Sequence, residues 1–415
     1  MADPRVSPGT SGSHVGGARH ASHLRGLNLD RVLTVAMART GTFTRAELSD
    51  ATGLSGPTVG GLAAHLIKAG LIADLGTGPS RGGRRPSLME FNPRYGFVAG
   101  IDLGPTRTRI AIADLRAEIV AHRILATPTS LPPDELLKSL ATSLRALARA
   151  ERVPYDRLLA VAAGAPGPVN PETGTVLLAP NLAEWRDVDV RAILQNALGT
   201  PVVVENDVNL ALLGERWRGA ARGHDTCAFI FVGTGLGAAL LINGRLHRGH
   251  HHMAGEIGVM CMGTEYVDVD FGSRGCLETL AGLAALRARW PDADREDPAH
   301  WVTDLTAAAD SGNEIAQSAL QDTARLIGIA AANIATVVDP SVIVLGGSMF
   351  AQAERLVELV RSVVRKLART NFDVVLSELG KEAPLAGCLL VAAHEARTHL
   401  RQRFSRSPAM VEALQ

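Results

Sequence analysis

Three apolar runs of strand length each end in a glycine-rich turn. Phe97–Leu103 runs into DLGPT (102–106), the run ending at Val232 into VGTGLG (232–237), and Val342–Leu345 into LGGS (345–348). Such turns expose successive backbone N–H groups and suit phosphate or nucleotide, although glycine also serves ordinary tight turns. Around them, strand and helix patterns alternate. Arg109–Asp114 reads as the hairpin partner of the first run, Pro133–Ala150 as a helix, and Leu158–Ala163 and Val202–Val204 as buried strands. Asp207–Arg218 reads as a helix, Thr226–Val232 with Ala238–Ile242 as a second hairpin, and Ile315–Val338 as a long apolar helix. This alternation predicts an α/β body. Two sets that each begin with a hairpin predict two lobes with a cleft between them.

The chain before residue 96 is patterned differently. Residues 1–26 are rich in Gly, Ser, His and Pro, lack an apolar signal core and read as a disordered tail. Asn28 reads as a helix N-cap, with Leu29, Val32, Leu33, Ala36 and Met37 following at helical spacing and Gly41 as the stop. Thr44 and Glu47 form a capping-box pattern for a short helix through Ala51. Ser55 caps a third helix to about Lys68, with Val59, Leu62, Ala63 and Leu66 on one face and Thr58, Gly61, His65 and Lys68 on the other. Helix, short turn, helix is the helix-turn-helix pattern, whose second helix enters the major groove.

After Gly70, two short apolar stretches flank a Gly-rich tip carrying Arg81, Arg84 and Arg85, the pattern of a β-hairpin wing. Arginines flanked by glycine suit a narrow minor groove. Arg45, Lys68 and Arg31 are candidates for backbone phosphates, and Ser55, Thr58 and His65 for limited base readout. Gly60 and Gly61 each weaken the reading helix by roughly 1 kcal/mol relative to Ala. The bland alternatives are a three-helix unit that packs only on protein and an Arg–Gly tip that is a linker.

Charge and cysteine content narrow the classes. The whole chain has 42 basic and 42 acidic groups, but residues 1–95 hold 11 basic and 6 acidic, leaving 31 and 36 for the rest. A basic head on an acidic body points to a polyanion partner for the head. The four cysteines form no CxxC pair, which excludes a disulfide-rich secreted scaffold. The apolar run Cys227–Asn243 is broken by glycines and too short for a membrane span. A cytoplasmic protein without a membrane partner is the expectation.

Nine segments in order carry a resemblance: TRAELSDATGLSGPTVGGL with SRGGRRP, GIDLGPTRTRIAIAD, GAPGPV, APNL, VENDVNLALLGE, FVGTGLGAALLINGRL, AGEIG, GSRGCLE and DPSVIVLGGS. From about Asn28 to His399 the chain resembles the ROK family (repressors, open reading frames, kinases), on its transcription-regulator branch. The resemblance implies a winged helix-turn-helix joined to a two-lobed, actin-like (RNase H-like) ATPase fold shared by sugar kinases and sugar-responsive repressors. It implies sugar contacts from Asn181, Asn206, Asp207, Glu256 and Glu278, with Asp207 at the position of the kinase base. Read by themselves, Asp207 also fits a helix N-cap and Glu278 a first-turn surface carboxylate.

Two departures from the family pattern bear on activity. The resembled kinases have DLGGT where this chain has Pro105, which removes an N–H donor and fixes φ. Arg107 stands where the family often has Lys. The turn residues Asp102, Gly104, Pro105, Thr106, Gly233 and Gly235 therefore read as a degenerate phosphate site, with ATP not productively bound. The family's zinc site uses a His after AGEIG and three Cys; here the positions hold Val259, Val269, Phe271 and Cys276, so no zinc is expected.

The expected layout is a tail (1–26), a winged helix-turn-helix (27–90), a linker (91–96), a sugar-kinase-like domain (97–402) and a C-terminal tail (403–415). Within the body, lobe one covers about 97–205 with 384–402 and lobe two about 206–383. The expected function is a repressor of carbohydrate genes with a double-stranded DNA operator, a small sugar effector and a homodimeric or homotetrameric state. An ATP-dependent hexose or N-acetylhexosamine kinase with a regulatory head is the alternative, and a body that only dimerises is a third reading.

Overall fold

The computed structural model describes residues 14–78, 86–179, 182, 184–272, 274–290, 298–351 and 353–406. These fall into two compact units. One comprises the chain to Gly96 with Asp114–Arg116 and the stretch from His394 on; the other comprises Phe97–Ala113 and Ala117–Ala393.

The first unit is built on helices α1 (His14–Ala38), α2 (Arg45–Thr52) and α3 (Gly56–Lys68) and the hairpin β1 (Ile72–Thr77)–β2 (Ser87–Phe91). Local chemistry sets the helix starts. Thr44 Oγ1 accepts from Glu47 N–H (3.2 Å) while the Glu47 carboxylate accepts from Thr44 N–H (2.7 Å), closing the capping box. Ser55 caps α3, and Val59, Leu62, Ala63 and Leu66 are buried as the spacing predicts. The two strands pair antiparallel as a wing, and Phe43 bridges to Met89 beside it.

Two expectations for this unit are corrected. Helix α1 begins at His14, not after Asn28, so residues 14–26 are helical rather than part of a tail. Residues 18–27 are mostly Ala, Leu, Arg and His, which tolerate helix well, and a methyl at Gly26 would meet the Ser405 carbonyl oxygen. Residues 403–406 continue the last helix, α12 (Ala383–Arg406), because Phe404 packs edge-on against His65 and Tyr95, each 6.3 Å away. Arg401 fixes this segment to α1 by donating to both carboxylate oxygens of Asp30, at 2.7 and 2.9 Å. Residues 394–402, expected in lobe one, thus group with the head. Within the expected linker lies a 3-10 turn, Pro93–Tyr95.

The second unit holds two five-stranded sheets of one topology. The first contains β3 (Phe97–Leu103), β4 (Arg107–Asp114), β5 (Ile119–Ala126), β6 (Leu158–Ala165) and β10 (Val202–Asn206), in the order β10-β6-β3-β4-β5. Helix α4 (Pro133–Ala150), the small sheet β7 (Val169–Asn170)–β8 (Thr175–Leu178)–β9 (Arg186–Asp189) and α5 (Val190–Leu198) connect its strands.

Helix α6 (Asp207–Arg218) leads to the second sheet. That sheet contains β11 (Cys227–Val232), β12 (Leu236–Ile242), β13 (Arg245–Leu246), β14 (Val342–Gly346) and β15 (Asp373–Leu376), in the order β13-β12-β11-β14-β15. Helices α7 (Cys276–Ala281), α8 (Leu283–Arg289), α9 (Pro298–Asp310), α10 (Glu314–Val338) and α11 (Glu354–Leu367) complete it. In each sheet the first strand neighbours its hairpin partner on one side and two later parallel strands on the other. This duplicated order is the two-lobed actin-like architecture that the sequence predicts.

Helices α6 and α12 cross at glycines. A methyl on Gly387 would overlap the Leu210 carbonyl oxygen, and one on Gly214 the Ala383 carbonyl oxygen. Gly387→Ala is expected to cost about 1–3 kcal/mol through overpacking, read as a lower urea midpoint with an unchanged slope. An unchanged midpoint would show that the crossing relaxes freely.

Candidate functional site

The three glycine-rich turns and Asp207 all follow the carboxyl ends of parallel strands: β3, β11, β14 and β10 respectively. Open α/β sheets place ligands at such ends. Four acidic side chains converge there. Asp102 closes β3 and is 4% exposed; burial raises its pKa to about 6, opposed by the Arg109 charge. Asp207 opens α6, and its pKa is pushed up to about 8, first by burial and then by the Asp102 charge, with Glu256 adding to it. Burial, then the Glu278 charge, raises Glu256. Burial also raises Glu278, whose Oε2 accepts from Leu236 N–H at 2.9 Å. A carboxyl group that keeps its proton, as Asp207 does at neutral pH, can both donate to and accept from ligand hydroxyls.

Asp207 is not the cap of its helix. Asn206 is: its Oδ1 accepts from Asn209 N–H at 2.9 Å, while its Nδ2 donates to the Gly167 carbonyl at 2.9 Å and to Asp207 at 3.3 Å. Asn206 is therefore engaged in shaping the turn, which leaves Asp207 Oδ2 without a capping duty. Glu256 is set by Gly255 at φ 96°, where a side chain would overlap the Ala238 carbonyl. Asn181 lies outside the described residues.

An ion pair beside this cluster, with its carboxylate buried and its guanidinium one-third exposed, has no signal in the local sequence. Glu205, 5% exposed, accepts from Arg248 through Nε (2.7 Å) and Nη2 (2.6 Å), from Asn209 Nδ2 (2.9 Å) and from Asn206 N–H (3.0 Å). Glu205 and Arg248 stand 43 residues apart, and no local pattern links them. Glu215, in the same motif, is fully buried and accepts from Ala220 and Leu379 N–H groups, so it is structural.

The turns Gly233–Gly235 and Gly346–Ser348 adjoin. Gly233 N–H donates to Gly235 O at 2.9 Å, and a methyl on Gly347 would overlap the Val232 carbonyl. At the four zinc positions, Val259 and Val269 are exposed, Phe271 carries no donor and Cys276 is buried. The described residues hold no group of three or more His, Cys, Asp or Glu arranged for a metal ion. These residues do not fit a tetrahedral zinc site.

In the head, α3 exposes Pro57, Thr58, Gly61, Ala64 and Lys68. His65, expected on this face, is half-buried: its ring packs on Phe404, its Nε2 is buried without a partner, and burial lowers its pKa. Ser55 Oγ is engaged with Thr58, at 2.8 Å from its hydroxyl. Arg45 begins α2 and Lys68 ends α3. Arg81, Arg84 and Arg85 lie outside the described residues. Among the described residues no helix is long and apolar enough to cross a membrane.

Residues 98–395 match the model of the ROK family. The chain is 29% identical over 367 residues to a xylose repressor of Caldicellulosiruptor bescii, covering 84% of this chain and 90% of the relative. It is 31% identical over 312 residues to a glucokinase of Streptomyces coelicolor, covering 70% of this chain and 96% of the relative. A solved ROK family transcriptional regulator, described as a homolog of the E. coli MLC protein, superposes with TM-score 0.74 at 23% identity, covering 93% of this chain and all of that one. The last likeness is one of fold.

Proposed function

Because the chain belongs to the ROK family, we infer that it is a sugar-responsive transcriptional repressor. One observation carries the reading: a capped helix-turn-helix with a wing precedes, in one chain, a body with four converging carboxyl groups, Asp102 buried and Asp207, Glu256 and Glu278 half-buried. In this reading Asp207, Glu256 and Glu278, with Asn181, bind vicinal hydroxyls of a sugar, and Asn206 positions Asp207. Similarity to a xylose repressor makes free aldoses the class to test first. The head holds an operator through Thr58 and Ala64 at base edges, Arg45 and Lys68 at phosphates, and Arg81, Arg84 and Arg85 in the minor groove. A small, flat face on α3 lets the helix approach the groove floor closely. A dimer would place two such helices about 34–36 Å apart on a palindrome in cytoplasmic DNA.

The ligand acts insofar as it binds the DNA-competent and DNA-free arrangements unequally. Full-length protein is expected to bind its own upstream DNA with a steep salt dependence. Arg84→Ala with Arg85→Ala is expected to weaken binding about tenfold or more and to reduce the log–log salt slope by about 2. Equal affinity and slope for wild type and variant would remove the wing from the interface.

A sugar kinase is the second reading, favoured by the glucokinase similarity and by an Asp207 that is free of capping. Sugar-dependent ADP release at roughly 1–100 per second, lost in Asp207→Asn, would establish it.

A further inference from the structure

We propose that Arg109 is a resident counter-ion that closes the turn after β3 to a magnesium–nucleotide, so that the body takes its sugar alone. The proposal rests on reading the body as a sugar sensor. A phosphate-wrapping turn works through free N–H donors and an acidic oxygen open to a metal ion. Here two donors of the turn and one oxygen of the acid are lost to it. Gly104 N–H is turned inward onto the Arg107 carbonyl at 3.2 Å, and Pro105 has no N–H. Thr127 pins the turn further: its Oγ1 donates to Gly104 O at 2.8 Å and its N–H to Thr106 O at 3.0 Å.

One oxygen of Asp102 is also taken. Arg109 Nη1 donates to Asp102 Oδ2 at 3.1 Å, and Arg109 Nε faces Glu382 Oε1 at 3.7 Å, so two carboxylates hold the guanidinium in place. Asp102 is buried and Arg109 half-buried, with side chains 5% and 16% exposed. A divalent cation at Asp102 would sit against a fixed positive charge and would have to displace it from a carboxylate already compensated. Magnesium needs a near-octahedral shell of oxygens, which a guanidinium-bound carboxylate does not offer. The residues present do not fit the group.

Arg109 is thus a specificity-determining residue of the body, and it acts separately from Pro105. The test uses full-length protein and a fluorescent ATP analogue with magnesium. Pro105→Gly alone is expected to leave nucleotide affinity within about threefold of wild type, because Asp102 stays paired. Pro105→Gly with Arg109→Gln is expected to raise affinity at least about tenfold, whereas Pro105→Gly with Arg109→Lys keeps the charge and excludes nucleotide. Glu382 is half-exposed, so Glu382→Gln is safe for folding; it leaves Arg109 wholly to Asp102 and is expected to stay closed to nucleotide.

A tenfold gain in Pro105→Gly alone, a gain in Glu382→Gln, or no gain in the well-folded Gln double variant would overturn the proposal. Should that double variant not fold, the Lys and Glu382 arms decide it. Sugar-dependent operator binding of the wild type, measured without nucleotide, tests the repressor reading independently.

Discussion

Asp207→Asn is expected to abolish the response of operator binding to sugar while making the protein more stable at neutral pH. The loss follows from the position of Asp207 at the start of α6, among Asp102, Glu256 and Asn206. The stability gain follows from linkage. In the fold, burial and the Asp102 charge push the Asp207 carboxyl up to about 8, against an ordinary value of 3.8 in the unfolded chain. Between those values the native state binds the extra proton, so stability falls as pH rises through the window and the cost is complete above about pH 8. Asn removes that cost and retains an oxygen for the Val208 N–H and Asn206 Nδ2 hydrogen bonds. Melts should therefore show a gain of at least about 1 kcal/mol at pH 8 that shrinks toward zero at pH 4. A variant that keeps the sugar response, or whose gain is independent of pH, would mean that Asp207 is neither a ligand contact nor a strained acid.

Arg248→Met is expected to have the largest effect on stability. It would leave Glu205 buried with only Asn209 Nδ2 and the Asn206 N–H to compensate its charge. Breaking a buried pair from one side costs several kcal/mol; because Arg248 is one-third exposed, the discounted expectation is about 2–3 kcal/mol. Glu205→Gln combined with Arg248→Met is expected to recover most of that loss, since no buried charge remains unpaired. Because Glu205 adjoins Asn206 and Asp207, sugar affinity should fall in the single variant and return in the double. Additive losses in this cycle would show that the two side chains do not act as a pair.

Local chemistry was legible in the sequence and long-range chemistry was not. Thr44 with Glu47, Ser55 before Pro57, and the continuous apolar runs of β3 and β6 each carry their structure within a few residues, and the observed ends of α4 and α6 coincide with those expected. The start of α1 was missed because Asn28 has the chemistry of a cap, whereas contact of Gly26 with Ser405 lies far along the chain. The face of α3 was shifted by one residue for the same reason. His65 and Ala64 are neighbours, and only Phe404 decides which of them is turned away from solvent.

Within the site, Asp207, Glu256 and Glu278 were found through motif resemblance, and the cluster they form with Asp102 is a property of the fold. The Glu205–Arg248 and Asp102–Arg109 pairs needed three dimensions. The second could have been suspected from an acid at a strand end and an arginine on its hairpin partner.

The decisive measurement is fluorescence anisotropy of the full-length protein on its own upstream DNA across a panel of aldoses, N-acetylated sugars and sugar phosphates, without nucleotide. At least one sugar should change operator affinity about tenfold or more in wild type and leave Asp207→Asn unmoved. Tight DNA binding that no sugar alters, or rapid consumption of ATP on one of those sugars, would contradict a DNA-binding head governed by a nucleotide-free sugar site.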